Sequence, residues 1–107
     1  MDKKVETAIL LDLYKGLLTE KQAEAMDLYY NEDLSLSEIA ENTFVTRQAV
    51  RDSILKGERI LFETEEKTHL CERITALEER LKKIRTLLKE EDSGAMEEIA
   101  RLSEIGE

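Results

Sequence analysis

The fold of this chain is decided by the stretch 36–54, which has the sequence LSEIAENTFVTRQAVRDSI. Its first part is predicted to be a short helix, because Ser35 can cap the N-terminus and Glu38 completes a capping box. The residues that follow interrupt the helical pattern, and Thr46 is a good N-cap for a second helix. Two short helices joined by a tight connection are typical of a helix-turn-helix, which we predict within about residues 35–62.

The apolar residues of this stretch have the spacing needed to pack two helices together. Ala40 is small and allows the helices to approach closely, while Ile39 and Val50 are expected to fill the space between them. Val45 is expected to pack under the turn. Phe44 stands where such turns often carry glycine, so the sequence leaves the backbone geometry of the turn open.

The start of the second helix carries the candidate nucleic-acid-binding residues, which are Thr46, Arg47, Gln48 and Arg51. An arginine can pair with a guanine edge or hold a phosphate, and a glutamine can pair with adenine. The N-terminus of the helix itself also favours a phosphate. The alternative is that the stretch forms only the core of a three-helix bundle, because a fold alone does not establish a function.

The charge of the chain restricts how nucleic acid could bind. The 107 residues include 16 basic and 25 acidic side chains, which gives a net charge of −9, so the surface as a whole repels phosphate. Residues 43–62 contain four basic and two acidic side chains, whereas residues 1–42 contain four and ten. A nucleic-acid contact therefore requires a local patch, and we place it on the second helix of the helix-turn-helix.

The remainder of the chain is also helical in pattern. It has no Pro, no Trp and four Gly, a composition typical of an all-α protein that argues against a β-sandwich, a Rossmann domain or a disulfide-stabilised mini-protein. A first helix is predicted over residues 4–15, because Val5, Ile9 and Leu13 recur every four residues, with Ala8 and Leu11 beside them.

Two further helix signals lie around the helix-turn-helix. Thr19 and Gln22 have the spacing of a capping box, so a helix is predicted to begin after Thr19. The helix that begins after Thr46 is expected to run to about Phe62. Gly57 is a predicted weak point in that helix, because glycine costs about 1 kcal/mol relative to alanine in a helix interior.

A long helical pattern with a heptad seam follows, from residue 65 to residue 89. The seam residues are spaced alternately four and three apart, and they are Leu70, Ile74, Leu77, Leu81, Ile84 and Leu88. They indicate either a coiled-coil homodimer, which would pair two helix-turn-helix units, or a helix that folds back over its own core. A short amphipathic helix is predicted from Ala95 to Ile105. We therefore divide the chain into a helical domain over 1–64 and a helical region over 65–107.

The long helix also carries a run of basic residues with no acidic residue between them, which are Arg80, Lys82, Lys83, Arg85 and Lys89. The run could contact RNA or phosphate. More commonly such a run is a solvated face, balanced here by Glu78, Glu79 and Glu90. The pairs Glu78–Lys82 and Glu79–Lys83 have the spacing of favourable ion pairs on a helix.

Other chemistries find no matching pattern. His69 and Cys71 would not share a helix face, and the chain has one His and one Cys, too few for a metal site. Without a glycine-rich phosphate loop or a nucleophile motif, we expect no cofactor and no enzymatic activity. One cysteine fits a reducing compartment, and no apolar run could span a bilayer or direct export. We therefore expect a cytoplasmic protein without membrane contact.

Residues 18–61 resemble region four of bacterial sigma factors, above all in LSLSEIA (34–40) and VTRQAVR (45–51). In sigma factors this region recognises a promoter element through its helix-turn-helix. The resemblance implies that Thr46, Arg47, Gln48 and Arg51 stand where such modules contact DNA. The helices with which a full sigma factor binds the polymerase core are not represented.

The whole chain resembles the YlxM family of small helix-turn-helix proteins, best in SEIAEN (37–42) and VTRQAV (45–50). This resemblance implies a bacterial cytoplasmic protein that acts in or regulates the signal recognition particle pathway, with a component of that particle as a candidate partner. We therefore expect a regulatory protein that binds DNA or RNA. The alternative is a dimeric adaptor of the targeting machinery that binds protein rather than nucleic acid.

Overall fold

The computed structural model describes residues 2–91 and 99–103. In chain order its elements are α1 (Lys3–Tyr14), a short 3-10 helix (Lys15–Leu17), α2 (Glu20–Tyr30), α3 (Leu36–Thr43), α4 (Arg47–Thr68) and α5 (Leu70–Glu91). Residues 99–103 are also helical. The described residues contain no strand, and the predicted all-α class is confirmed.

The chain forms two compact units, Met1–Cys71 and Glu72–Glu107. The helix break that we predicted shortly before residue 65 is absent, since α4 continues to Thr68. It ends at His69, which has a left-handed backbone with φ 51° and ψ 23°, and whose N–H donates to the carbonyl oxygen of Glu65 at 2.8 Å. A left-handed residue at this position is a common helix end, but a histidine there gives little signal in the sequence.

The core of the first unit is built around one face of α4. The buried residues of α4 are Val50, Ile54, Gly57 and Leu61. They recur every three or four positions, which is the period of a helix face. The other three helices contribute Leu10, Leu11 and Tyr14 from α1, Ala25 and Met26 from α2, and Ile39 from α3. Because α4 is held from several sides, the position of its first turn is fixed by the core.

Gly57 has a packing role in addition to the helix-propensity cost that we predicted for it. It is buried in the middle of the continuous helix α4, and a Cβ at this position would overlap the side chain of Met26, which has no exposed surface. Glycine therefore allows α2 and α4 to approach closely. Helix propensity predicts that glycine destabilises the helix, but it contains no information about the contact with Met26.

The buried face of α1 includes Leu11 of the predicted apolar set but is centred elsewhere. Val5, Ile9 and Leu13 are all exposed. The buried residues are instead Thr7, Leu10, Leu11 and Tyr14. The Thr7 hydroxyl donates to the carbonyl oxygen of Lys3 at 2.7 Å, so this polar side chain is buried without losing a hydrogen bond. α1 has apolar residues on two adjacent faces, and tertiary packing decides which face is covered.

Two tyrosine hydroxyls connect α1 and α2 to α4. The Tyr14 hydroxyl donates to Oε1 of Glu65 at 2.6 Å, and the Tyr30 hydroxyl donates to Oε1 of Glu58. Burial, followed by the hydrogen bond to the carboxylate, raises the pKa of both tyrosines above the ordinary value. Both hydroxyls therefore remain protonated donors to a higher pH than a free tyrosine would.

The heptad residues of α5 carry apolar surface that is in contact with solvent. Ile74, Leu77, Leu81 and Ile84 are between 38% and 56% exposed, and Leu70 is exposed as well. Leu88 is half-buried. In the predicted terminal helix, residues 99–103 are helical, and its remaining positions lie outside the described residues.

Candidate nucleic-acid interface

The predicted capping box defines the start of α3. Oγ of Ser35 accepts from the Glu38 N–H at 3.1 Å, and Oε1 of Glu38 accepts from the Ser35 N–H at 3.0 Å. The hydrogen bonds from Ser35 stabilise the ionised carboxylate and keep the pKa of Glu38 below its ordinary value. Two N–H groups at the helix start are thereby paired, which gives this short helix a defined beginning.

The interior between α3 and α4 is filled by two of the predicted packing residues. Ile39 and Val50 have almost no exposed surface, and Ala40 is half-buried. Val45, which we expected to pack under the turn, is 39% exposed. Since Ile39 and Val50 already fill the interior, Val45 lies at its edge.

The turn between the helices is made by Phe44 in the left-handed conformation, with φ 57° and ψ 38°. The N–H groups of Phe44 and Val45 both donate to the carbonyl oxygen of Ala40, the second at 3.2 Å, and so close the end of α3. The Phe44 side chain is 94% exposed. A left-handed backbone costs a residue with a Cβ roughly 1–2 kcal/mol, and burial of the ring does not offset this cost.

The start of α4 presents the predicted binding residues to solvent. Thr46 is the N-cap, and its Oγ1 accepts from the Ala49 N–H at 3.0 Å. Arg47, Gln48 and Arg51 are exposed. Among the residues that the structure describes, neither arginine has a carboxylate within ion-pair distance. The free N–H groups of a helix start add partial positive charge, so this turn can attract an anion.

Asp52 belongs to this surface although it was not among the predicted site residues. Nε2 of Gln48 donates to Oδ1 of Asp52 at 3.1 Å, across one turn of α4. The i,i+4 spacing of the two residues was the available sequence signal. The bond orients the Gln48 amide, and the carboxylate places one negative charge on the exposed side of α4.

An open pocket of about 340 Å³ lies where α2, the turn and α4 meet. Its lining includes Lys21, Asn42, Phe44, Ala49 and Ser53. On a helix, residues 49 and 53 point about 160° away from residues 47 and 51. The pocket is therefore separate from the arginine side of α4.

Other kinds of site have no basis in the described residues. Within 2–91 and 99–103, no three His, Cys, Asp or Glu side chains are grouped so that they could hold a metal ion. In the same part of the chain, no helix combines the length and the apolar character that crossing a membrane requires.

Comparison with known proteins identifies relatives along most of the chain. Residues 1–105 match the model of the family UPF0122, described as "Putative helix-turn-helix protein, YlxM / p13 like". A UPF0122 protein of Clostridium kluyveri is 49% identical over 84 residues, which are 78% of this chain and 76% of the relative. One from Acetivibrio thermocellus is 43% identical over 96 residues, or 90% and 82% of the two chains. One from Bacillus cereus is 42% identical over 92 residues, or 86% and 84%.

Proposed function

The chain belongs to the UPF0122 family of YlxM / p13-like helix-turn-helix proteins, and from this premise we propose that it is a regulatory protein that binds nucleic acid and catalyses no reaction. Its binding surface is the start of α4, formed by Thr46, Arg47, Gln48 and Arg51. The observation that carries the proposal is that Arg47 and Arg51 are exposed and have no ion-pair partner in the described chain.

Each of these side chains has a role that its chemistry supports. Arg47 and Arg51 hold phosphates or pair with guanine edges, and the amide of Gln48 pairs with adenine. The Thr46 oxygen is already an acceptor in the helix cap, so its hydroxyl hydrogen is the group that remains for a phosphate oxygen. The sigma region-four resemblance supports the same assignment, with duplex DNA as the ligand and transcription as the regulated process.

The test is a binding titration with a fluorescent mixed-sequence DNA duplex at low salt. The variant Arg47→Ala/Arg51→Ala removes two positive charges at the start of α4. The control Lys3→Ala/Lys67→Ala removes two exposed charges of the same unit elsewhere. We expect the arginine variant to bind at least about tenfold more weakly, because each pair of a phosphate with a basic side chain contributes to affinity. Equal binding by both variants, or no binding by the natural chain, contradicts the proposal.

A second candidate function is pairing with another copy through the heptad seam of α5. The exposed apolar surface of Ile74, Leu77, Leu81 and Ile84 supports it, because a chain gains free energy when such a stripe is covered. The variant Ile74→Glu/Leu81→Glu tests it by sedimentation combined with circular dichroism. A helical monomer in place of a dimer supports pairing. A natural chain that is already a monomer rules pairing out.

The link to the signal recognition particle stays a prediction from the YlxM resemblance. Under the adaptor alternative, the seam of α5 would bind a protein of that particle, and nucleic acid would have no part in it. Capture of the purified particle by the full chain, and its loss with Ile74→Glu/Leu81→Glu, would support this alternative. Absence of capture, or undiminished capture by the folded variant, would exclude the seam as the binding surface.

A further inference from the structure

The densest positive charge of the chain lies on α5, outside the helix-turn-helix. Residues 80–89 contain five basic side chains and no acidic one, although the chain has a net charge of −9. Residues 43–62, which include the start of α4, have an excess of only two basic side chains. This run of α5 therefore offers a second local attraction for a polyanion, although acidic residues flank it on both sides at 78–79 and 90–92.

Three of these side chains form what we call the outer lysine face, consisting of Lys82, Lys83 and Lys89. With the seam residues at heptad positions a and d, Lys82 and Lys89 stand at b and Lys83 at c, on the side away from the seam. All three are exposed. A helix partner on the seam would leave these positions free. Arg85 differs, because its Nη2 donates to Oγ of Ser103 at 2.6 Å.

The two acidic residues that precede this face form no ion pair with it in the described part of the chain. Glu78 and Glu79 have the spacing to pair with Lys82 and Lys83, and we expected both ion pairs. In the described part of the chain, neither lysine has a carboxylate within ion-pair distance. Glu79 borders the same shallow surface as both lysines, and Glu90, Glu91 and Asp92 follow Lys89 directly in the sequence.

We propose that the outer lysine face of α5 is a second phosphate-binding surface, which contacts the backbone of a nucleic acid without recognising its bases. The inference rests on the proposed function and extends it to a different helix. Lysine is a mobile point charge suited to phosphate, and phosphate contacts supply affinity and salt dependence but no sequence information. This face adds to the attraction that Arg47 and Arg51 provide, while the start of α4 also supplies base recognition.

The experiment measures affinity against salt for the full chain, with a DNA duplex and an RNA duplex of equal sequence. The test variant is Lys82→Gln/Lys83→Gln/Lys89→Gln, and the control is Lys3→Gln/Lys15→Gln/Lys67→Gln. Glutamine has nearly the helix propensity of lysine, and circular dichroism verifies that both variants fold. We expect the test variant to bind about tenfold more weakly at about 50 mM salt. The slope of log K against log salt should fall by about 2 to 3, since each phosphate contact contributes about 0.9.

A variant that removes a negative charge, and is expected to strengthen binding, separates an effect of charge from an effect of lost structure. Glu79→Gln removes the acid beside the outer lysine face and should strengthen binding, which loss of structure could not do. If the lysine variant binds one of the two duplexes more weakly, that duplex is the nucleic acid that the face accepts. Weaker binding to DNA and weaker binding to RNA each support the proposal. Equal slopes for the natural chain and the lysine variant on both duplexes overturn it.

The same titrations distinguish failure of this inference from failure of the proposed function. If Arg47→Ala/Arg51→Ala weakens binding and the lysine variant does not, only the α5 surface is excluded. If the lysine variant weakens binding and the arginine variant does not, the α5 surface stands and the role of α4 is excluded. If the natural chain binds neither duplex at low salt, both fail.

Discussion

Gln48 and Asp52 are joined by a hydrogen bond across the first exposed turn of α4, from Nε2 to Oδ1 at 3.1 Å. The pair combines an amide that can recognise a base with a carboxylate that repels phosphate. The start of α4 therefore gains an oriented glutamine and loses part of the attraction that its arginines provide. The charge of Asp52 therefore limits how strongly the start of α4 attracts phosphate.

Asp52→Asn is expected to tighten binding to a duplex by about threefold, because it removes one negative charge from the exposed side of α4 that faces the phosphates in the proposed complex. The asparagine oxygen can still accept from Gln48, so base preference should be retained. Asp52→Ala should tighten binding similarly but weaken base preference, since it also removes the acceptor. Fluorescence anisotropy with duplexes of different sequence measures both effects. Asp12→Asn, which removes an exposed acid on α1, is the control, and an equal gain with this control would contradict the prediction.

Gly57→Ala is expected to destabilise the fold by about 1–2 kcal/mol. The added Cβ would overlap Met26, and this overpacking exceeds the roughly 1 kcal/mol gained in helix propensity. Gly16→Ala is the matched control, because no atom lies within 4 Å of a Cβ at that position. Urea unfolding monitored by circular dichroism compares the two. A Gly57→Ala protein as stable as the natural chain would show that α2 and α4 do not approach closely.

Phe44→Gly is expected to be more stable than Phe44→Ala by about 1 kcal/mol, since alanine keeps the cost of the left-handed backbone and glycine removes it. Both variants remove a ring that is 94% exposed, so the comparison isolates the backbone. Thermal unfolding of the two variants measures the difference. Equal stability would indicate a turn in which residue 44 is not left-handed.

The raised pKa of Tyr30 leads us to expect that the fold loses stability in alkaline solution. Burial and the hydrogen bond to Glu58 raise the pKa of Tyr30 above the ordinary value of 10.0, so the folded state keeps its proton where the unfolded state releases it. The contribution is complete below about pH 10 and falls as the pH rises further. Tyr30→Phe should therefore flatten the decline of the unfolding free energy above about pH 10, while Tyr29→Phe, one residue away, should leave it steep. Parallel pH profiles for both variants would contradict this assignment.

Local chemistry determined which parts of the fold could be predicted from the sequence. The capping boxes at Thr19–Gln22 and Ser35–Glu38 depend on residues three apart, and both are present as predicted. The apolar pattern of α1 identified Leu11 but not the rest of its buried face, because the choice between its two apolar faces is made by residues far away in the chain. The role of Gly57 was missed for the same reason, since it depends on Met26 of another helix.

At the candidate site, the exposure of the side chains at the start of α4 could be predicted, but the geometry of the turn could not. Thr46 is recognisable as an N-cap and indicates where α4 begins. The spacing of the apolar residues Ile39 and Val50 indicates which side of the helices faces inward. The exposure of Arg47 follows from that geometry. The left-handed backbone of Phe44 has no counterpart in residue preferences, because a bulky residue normally avoids this conformation.

The most direct test of the central claim is a map of amide chemical shifts of the ¹⁵N-labelled full chain during titration with a short mixed-sequence DNA duplex. We expect the largest and saturable changes at residues 46–52, which form the N-cap and the first turns of α4, with smaller changes in the core residues beneath them. Changes confined to other helices while the signals of residues 46–52 stay in place would contradict the claim that the start of α4 binds nucleic acid.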